Sequence, residues 1–299
     1  MCRLYGFRSS VTSGVHASLV AAENALAIQS VAHPDGWGVA FYQDRFPHLI
    51  RSEKQALDDG LFRELGAVVS TRTLIAHIRQ ATTGKLSVLN CHPFQFGPWI
   101  FAHNGQVTGY TKGNEIAEAV DSLVDQRFRG EMLGSTDSEA LFYLFMSRLA
   151  RRVEDPFHEG IKPEIVVDAL TEMMEEIMAR VPEPDPNEPN RLTFLVSNGG
   201  AMVGIRFRRS LHYSTYKNRC PDRDTCHAFE AYRCEAPVED GMVKHLVISS
   251  ERIAEGPNVW FELSDGEYVT VDRGMNFHQG RVAAFSDSPV ATLATGTGR

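Results

Sequence analysis

Long apolar runs are missing from this chain. No stretch approaches the roughly eighteen consecutive apolar residues of a membrane helix, and the N-terminus lacks the apolar core of a secretory signal. The expectation is a cytoplasmic protein with no membrane partner. Basic blocks are also missing: the net charge is -8, with both signs scattered along the chain, which argues against nucleic acid as a partner. Cysteine is scarce, five in 299 residues, too few for a disulfide scaffold. Cys220, Cys226 and Cys234 lie near His212 and His227, but their spacings are not the tight Cys-x2–4-Cys pairs of strong zinc motifs. They read better as free thiols, so no metal is expected. No glycine-rich phosphate loop occurs, and no cofactor is implied.

What is present is ordinary globular composition, 43% hydrophobic and 23% charged, enough for one large core or two modest domains. The most informative stretch is the start, Met1-Cys2-Arg3-Leu4-Tyr5-Gly6-Phe7. Removal of Met1 would leave Cys2 with a free α-amine beside its own thiol. The two groups have similar unperturbed pKa values, so the amine is suited to accept the thiol proton. Nucleophile and base would then share one residue. The alternating apolar residues that follow read as a short strand that anchors the terminus. The plain alternative is a chance cysteine in a buried first strand.

Along the chain, Ala17 to Ser30 reads as an amphipathic helix closed by the breaker His33-Pro34-Asp35-Gly36. Trp37 to Tyr42 reads as a strand, Glu53 to Leu65 as a helix and Thr73 to Arg79 as a strand. Arg79-Gln80-Ala81-Thr82-Thr83-Gly84 then leaves that strand, and Trp99 to His103 forms another that runs into Asn104-Gly105. Polar residues at strand ends are well placed for catalysis, because the sheet holds them rigidly. Arg79 carries a fork matched to a carboxylate. The Asn104 side chain and the Gly105 backbone N–H offer two donors for an oxyanion hole. Asn-Gly is equally a strong hairpin signal. Asp137, in Ser135-Thr136-Asp137-Ser138-Glu139, stands either as first-turn capping chemistry or as a carboxylate held for a substrate ammonium. Pro163 to Val181 reads as a helix with a methionine-rich core face. Residues 182–190 are a proline-rich acidic loop, and strands follow from Arg191, with later ones at 245–250 and 268–272. The last residues, 286–299, lack any pattern and read as a disordered tail, leaving one domain over 2–285.

Taken together, Cys2, His77-Ile78-Arg79-Gln80-Ala81-Thr82, Asn90-Cys91-His92-Pro93, His103-Asn104-Gly105 and Ser135 to Glu139 resemble the class II glutamine amidotransferases, which are N-terminal-nucleophile (Ntn) hydrolases. The resemblance is firm over about Cys2 to Leu149. It implies an α+β fold, a four-layer αββα sandwich of two antiparallel sheets. It further implies Cys2 as nucleophile, Asn104 and Gly105 as oxyanion hole, Arg79 on the substrate α-carboxylate and Asp137 on its α-ammonium, with Thr82 and His92 lining the pocket. A γ-glutamyl substrate is zwitterionic at one end and an amide at the other, and these residues supply matching groups. Gln80, Thr83 and Cys91 depart from the sugar-phosphate-coupled members, and the stretch after Leu149 is short for a synthase domain. The stand-alone YafJ-like and EgtC-like branch fits better. The expected reaction is hydrolysis of a γ-glutamyl amide, glutamine or a conjugate, with an acceptor enzyme for ammonia as a possible partner. The alternative is a binding or regulatory protein that keeps the fold without turnover.

Overall fold

The computed structural model describes residues 2–81, 84–181, 183, 185, 187–217, 241–253 and 258–285. Within them the strands are β1 (Arg3–Gly14), β2 (Trp37–Gln43), β3 (Phe46–Ser52), β4 (Ser70–Ile78), β5 (Phe94–Phe96), β6 (Trp99–Gln106), β7 (Arg191–Ser197), β8 (Met202–Ile205), β9 (His212–Lys217), β10 (His245–Ser249), β11 (Asn258–Glu262), β12 (Glu267–Val271) and β13 (Phe277–Arg281). The helices are α1 (Leu26–Gln29), α2 (Gly60–Val68), α3 (Glu115–Leu123), α4 (Gln126–Arg129), α5 (Asp137–Arg152) and α6 (Pro163–Arg180). One sheet has the order β11-β9-β10-β1-β4-β2-β3 and the other β13-β12-β8-β7-β6-β5. Every pairing is antiparallel.

The layering follows from two-residue alternation along the central strands. Leu4, Ala40 and Ile75 of the first sheet meet Ile100, Ala102 and Leu195 of the second, so one core lies between the sheets. The alternate residues Tyr5, Trp37, Leu74 and Ala76 face the opposite way, onto Leu19, Leu26 and Phe62. On the far side of the second sheet, Phe101, Phe194 and Val196 pack against α5 and α6 through Phe142, Phe145, Leu170 and Met173. Three cores separate four layers, and the αββα expectation holds. Among the described residues no helix is long and apolar enough to cross a membrane.

Several local expectations need correction. The helix expected over Ala17 to Ser30 is broken into a five-residue π-turn, Ala17–Ala21, and the short α1. Asn24 interrupts it, because its backbone N–H donates to Ile253 and its side-chain amide donates to the Arg252 carbonyl at 2.7 Å. The helix expected at Glu53 to Leu65 begins only at Gly60. Asp59 caps it, accepting from Leu61 N at 3.1 Å, and the same carboxylate holds Trp37 Nε1 and Ser52 Oγ. Asn104-Gly105 is no hairpin turn: both residues sit inside β6, opposite Thr193 and Leu192 of β7. That pairing joins the strands on either side of the proline-rich loop in one sheet. The tail and the Cys220, Cys226 and Cys234 group lie outside the described residues.

Candidate active site

Several chain segments meet at the end of the sandwich where β1 begins and β4 and β6 finish. Cys2 directly precedes β1, whose Arg3 lies opposite Ile78, the last residue of β4. Arg79 and Gln80 follow immediately, and the Cys2 thiol accepts from Gln80 N at 3.4 Å. The turn of residues 34–36 zips along this segment. Arg79 N donates to the Gly36 carbonyl at 2.8 Å, and Ala81 N to Asp35 Oδ2 at 2.8 Å. Gly36 sits at a φ of 122°, a conformation that favours glycine. The loop before β5 and the turn before α5 are stapled by Asn90, which donates to Ser135 Oγ and accepts from Ser135 N at 2.9 Å.

The resulting pocket is lined by Cys2, Arg79, Gln80, His92, His103, Gly105, Thr136, Asp137 and Ser138. Five of the residues singled out from the sequence, Cys2, Arg79, His92, Gly105 and Asp137, thus reach one place from five separate elements or loops. The walls are close together, leaving a cavity of about 20 Å³ between them. Asn104 is buried between the lining residues His103 and Gly105 but is not itself part of the lining. By alternation it shares the inter-sheet face of Ile100 and Ala102. Cys2, two residues before Leu4, belongs to the facing side of the same space. Thr82 lies outside the described residues.

Local chemistry explains each position. Cys2 is half-buried, and desolvation pushes its thiol pKa up, opposed by the Gln80 backbone bond and by the Arg79 charge. A base at hand is therefore needed to make it a nucleophile. Gly105 is required by its neighbour strand, since a β-carbon there would overlap the Arg191 carbonyl of β7. Asp137 opens α5 behind the N-cap Thr136, whose side chain accepts from Glu139 N. The Asp137 carboxylate is buried, with Oδ2 accepting from Val107 N at 2.6 Å and Oδ1 from Ser138 N at 2.8 Å. Oδ2 keeps a further lone pair for an incoming cation, while Oδ1 also lies 3.3 Å from Ser138 Oγ. His92 lies between His77 (ring centroids 4.2 Å apart) and Phe94 (4.7 Å). Both its ring nitrogens lack a partner among the described residues, and burial holds its pKa well below the ordinary value. It offers the pocket a neutral donor and acceptor.

Sequence reasoning gave no role to His103 and Ser138. His103 Nε2 lies 2.8 Å from the Arg191 carbonyl, which only accepts, so Nε2 carries the proton. Burial lowers the His103 pKa against the pull of Asp137, so Nδ1 is an acceptor and takes the Ser138 hydroxyl proton at 2.9 Å. This chain fixes the turn that carries Asp137. The signal was adjacency: both residues flank named ones in the quoted motifs. Among the described residues no group of three His, Cys, Asp or Glu side chains is placed to hold a metal.

The layered sheets and this strand-end pocket define an Ntn-hydrolase fold of the amidotransferase type. The family described as class II glutamine amidotransferases matches residues 1–292, and the chain belongs to it. It is 29% identical over 157 residues to the putative glutamine amidotransferase YafJ of Escherichia coli, covering 51% of this chain and 56% of that one. It is 30% identical over 117 residues to the γ-glutamyl-hercynylcysteine sulfoxide hydrolase of Mycobacterium tuberculosis, covering 36% and 50%. The chain spans about half the length of the curated relatives it matches. In fold it is similar to the glutamine aminotransferase class-II domain protein of Silicibacter pomeroyi. The TM-score is 0.59 at 22% identity, covering 94% of this chain and 99% of that one.

Proposed function

We propose that this chain, once Met1 is removed, cleaves a γ-glutamyl amide through a γ-glutamyl thioester on Cys2. The observation that carries this reading is the meeting of Cys2, Arg79, His92, Gly105 and Asp137 around one pocket. Arg79 binds the substrate α-carboxylate in a bidentate grip. Asp137 receives the α-ammonium, with His92 and Thr82 beside the glutamyl chain. The amide carbon then faces the Cys2 sulfur.

The Cys2 α-amine takes the thiol proton, and the thiolate attacks the carbonyl carbon. The resulting oxyanion is held by the Gly105 N–H and the Asn104 side chain. Collapse breaks the C–N bond, and the amine returns the proton to the leaving nitrogen, which departs as ammonia or an amine. Water attacks the thioester with the same amine as base, releasing glutamate and restoring the thiol.

Between glutamine and a γ-glutamyl conjugate as substrate, we favour the conjugate, because the mycobacterial relative is named as a hydrolase of one. An ammonia-accepting partner enzyme belongs to the glutamine version, and a cytoplasmic location suits both, since the free thiol needs reducing surroundings. The test is a panel of γ-glutamyl compounds, glutamine included, with detection of released glutamate. Release by the wild type and none by Cys2→Ala is expected. Release by neither, from a protein that still binds the compounds, would favour the non-catalytic alternative.

A further inference from the structure

A second cavity lies at the other end of the sandwich, away from Cys2. It has about 740 Å³ of space and is bounded by the later half of β1, the start of β4, the end of β2 and the turn after β7. Among the described residues, no cysteine or histidine lines it. Its charge is the reverse of the molecule's: Arg8, Arg45, Arg72 and Arg273 stand against Asp44 and Glu159, leaving +2 in a chain of net -8.

Arg8 is 6% exposed, yet its hydrogen bonds go to neutral groups. These are Thr73 Oγ1 at 2.9 Å and the carbonyls of Gly199 at 2.7 Å, Asp272 at 3.3 Å and Arg273 at 3.2 Å. The nearby Asp272 carboxylate is turned to Asn276, whose backbone and side-chain N–H groups donate to it. Desolvation lowers the Arg8 pKa to about 10, the Asp272 charge opposing it and repulsion from Arg273 and Arg72 adding to it. A buried guanidinium bonded only to carbonyls and a hydroxyl, with the Asp272 carboxylate bonded to Asn276 instead, lacks the direct ion pair that normally offsets its desolvation. A second observation points the same way. Asn198 lines the cavity and is 2% exposed. Its Oδ1 accepts from Gly200 N and Ala201 N, while its Nδ2 donor has no partner among the described residues.

We propose that this cavity binds a small polyanion, a phosphorylated or multiply carboxylated metabolite, with Arg8 and Asn198 at its floor and Arg72 and Arg273 at its rim. The volume falls in the range of metabolite pockets. Hydroxyls of Thr12 and Ser70 supply further donors, while Thr71 Oγ1 donates to the Tyr42 carbonyl at 2.6 Å. The walls offer no face for a nucleobase, because the lining aromatic, Tyr42, is buried with its hydroxyl committed to the Pro98 and Ser197 carbonyls. Glu159, paired to Arg45 and Arg273 at 3.3 and 3.1 Å, occupies part of the rim charge until a ligand competes for it.

The test is calorimetric titration of the full chain with pyrophosphate, citrate and ADP, alongside Arg72→Gln/Arg273→Gln. Both substituted residues are exposed or carry only a rim ion pair, so the variant keeps the wild-type circular dichroism. Saturable one-to-one binding of pyrophosphate or citrate, weakened at least tenfold in the double variant, is expected, and the tighter of the two identifies the anion class. Absence of saturable binding by both would overturn the proposal. So would binding that the double variant leaves unchanged, which would place the anion elsewhere, at Arg79 for instance. ADP binding tighter than pyrophosphate would overturn the exclusion of a base.

Discussion

Replacing Asp137 with asparagine separates the two roles this residue combines. Its carboxylate is buried and accepts from two backbone amides, Val107 N and Ser138 N. Asparagine has one accepting oxygen. Whichever way the amide turns, an NH2 faces one of those N–H groups, leaving a buried donor unsatisfied at about 1–3 kcal/mol. The variant should therefore unfold several degrees below wild type by calorimetry. Substrate capture should suffer separately, because a charge-assisted bond to the α-ammonium is worth about 1.5–3 kcal/mol. That corresponds to roughly tenfold to a hundredfold in kcat/KM. The assay compares the cleaved γ-glutamyl compound with its counterpart lacking the α-amino group. Wild type should prefer the amino compound, and Asp137→Asn should lose most of that preference. A preference unchanged in a destabilised variant would refute the pairing and leave Asp137 as the tie between α5 and the end of β6.

Cys2→Ala should abolish glutamate release while shifting stability by less than about 1 kcal/mol, since the half-buried thiol makes only long contacts to Gln80. Activity retained in this variant would remove the nucleophile from the account. Gly105→Ala should destabilise the fold by at least the ~1–3 kcal/mol of an overpacked core, because the new methyl meets the β7 backbone; a denaturant midpoint equal to wild type would contradict the register. Below pH 6.5 the chain should lose stability. His77 is fully buried, and desolvation lowers its pKa to about 3, so the unfolded chain binds a proton that the folded one does not. From about pH 6.5 downward, stability should fall by up to about 1.4 kcal/mol per pH unit for this group. Chemical unfolding at pH 7, 6 and 5 reads that slope, and a flat profile would place His77 in contact with water.

Where side-chain pattern and chain chemistry agreed, the structure was legible. Thr73 to Arg79 alternates, the runs at Trp37, Trp99 and Arg191 are short, apolar and rich in aromatic or β-branched residues, and α6 has both a proline start and a long apolar face. The pocket residues could be gathered because each stands at a strand end or helix start, where a sheet or a cap fixes its position. Distant partners hid the rest. Asn24 looks helical until the Arg252–Ile253 backbone draws its amides away. Asp59 reads as one more polar residue within a helix, but its bonds to Trp37 and Ser52 make it the cap. β3 begins Phe46-Pro47 with mixed polarity because it is an edge strand, paired only with β2. Asn104-Gly105 carries the local signature of a turn, which seven residues of pairing with β7 override. The role of His103 was invisible because its two partners, Arg191 and Ser138, are 88 and 35 residues away.

The claim at the centre of this account is that the catalytic sulfur and its base belong to the same, first residue. Acid-quenched intact mass during turnover, followed by peptide mapping, measures this directly. The account predicts a chain that begins at Cys2 and carries the mass of one glutamyl group on its N-terminal peptide. Glutamate release from a chain that still bears Met1, or a glutamyl group on any other residue, would contradict it.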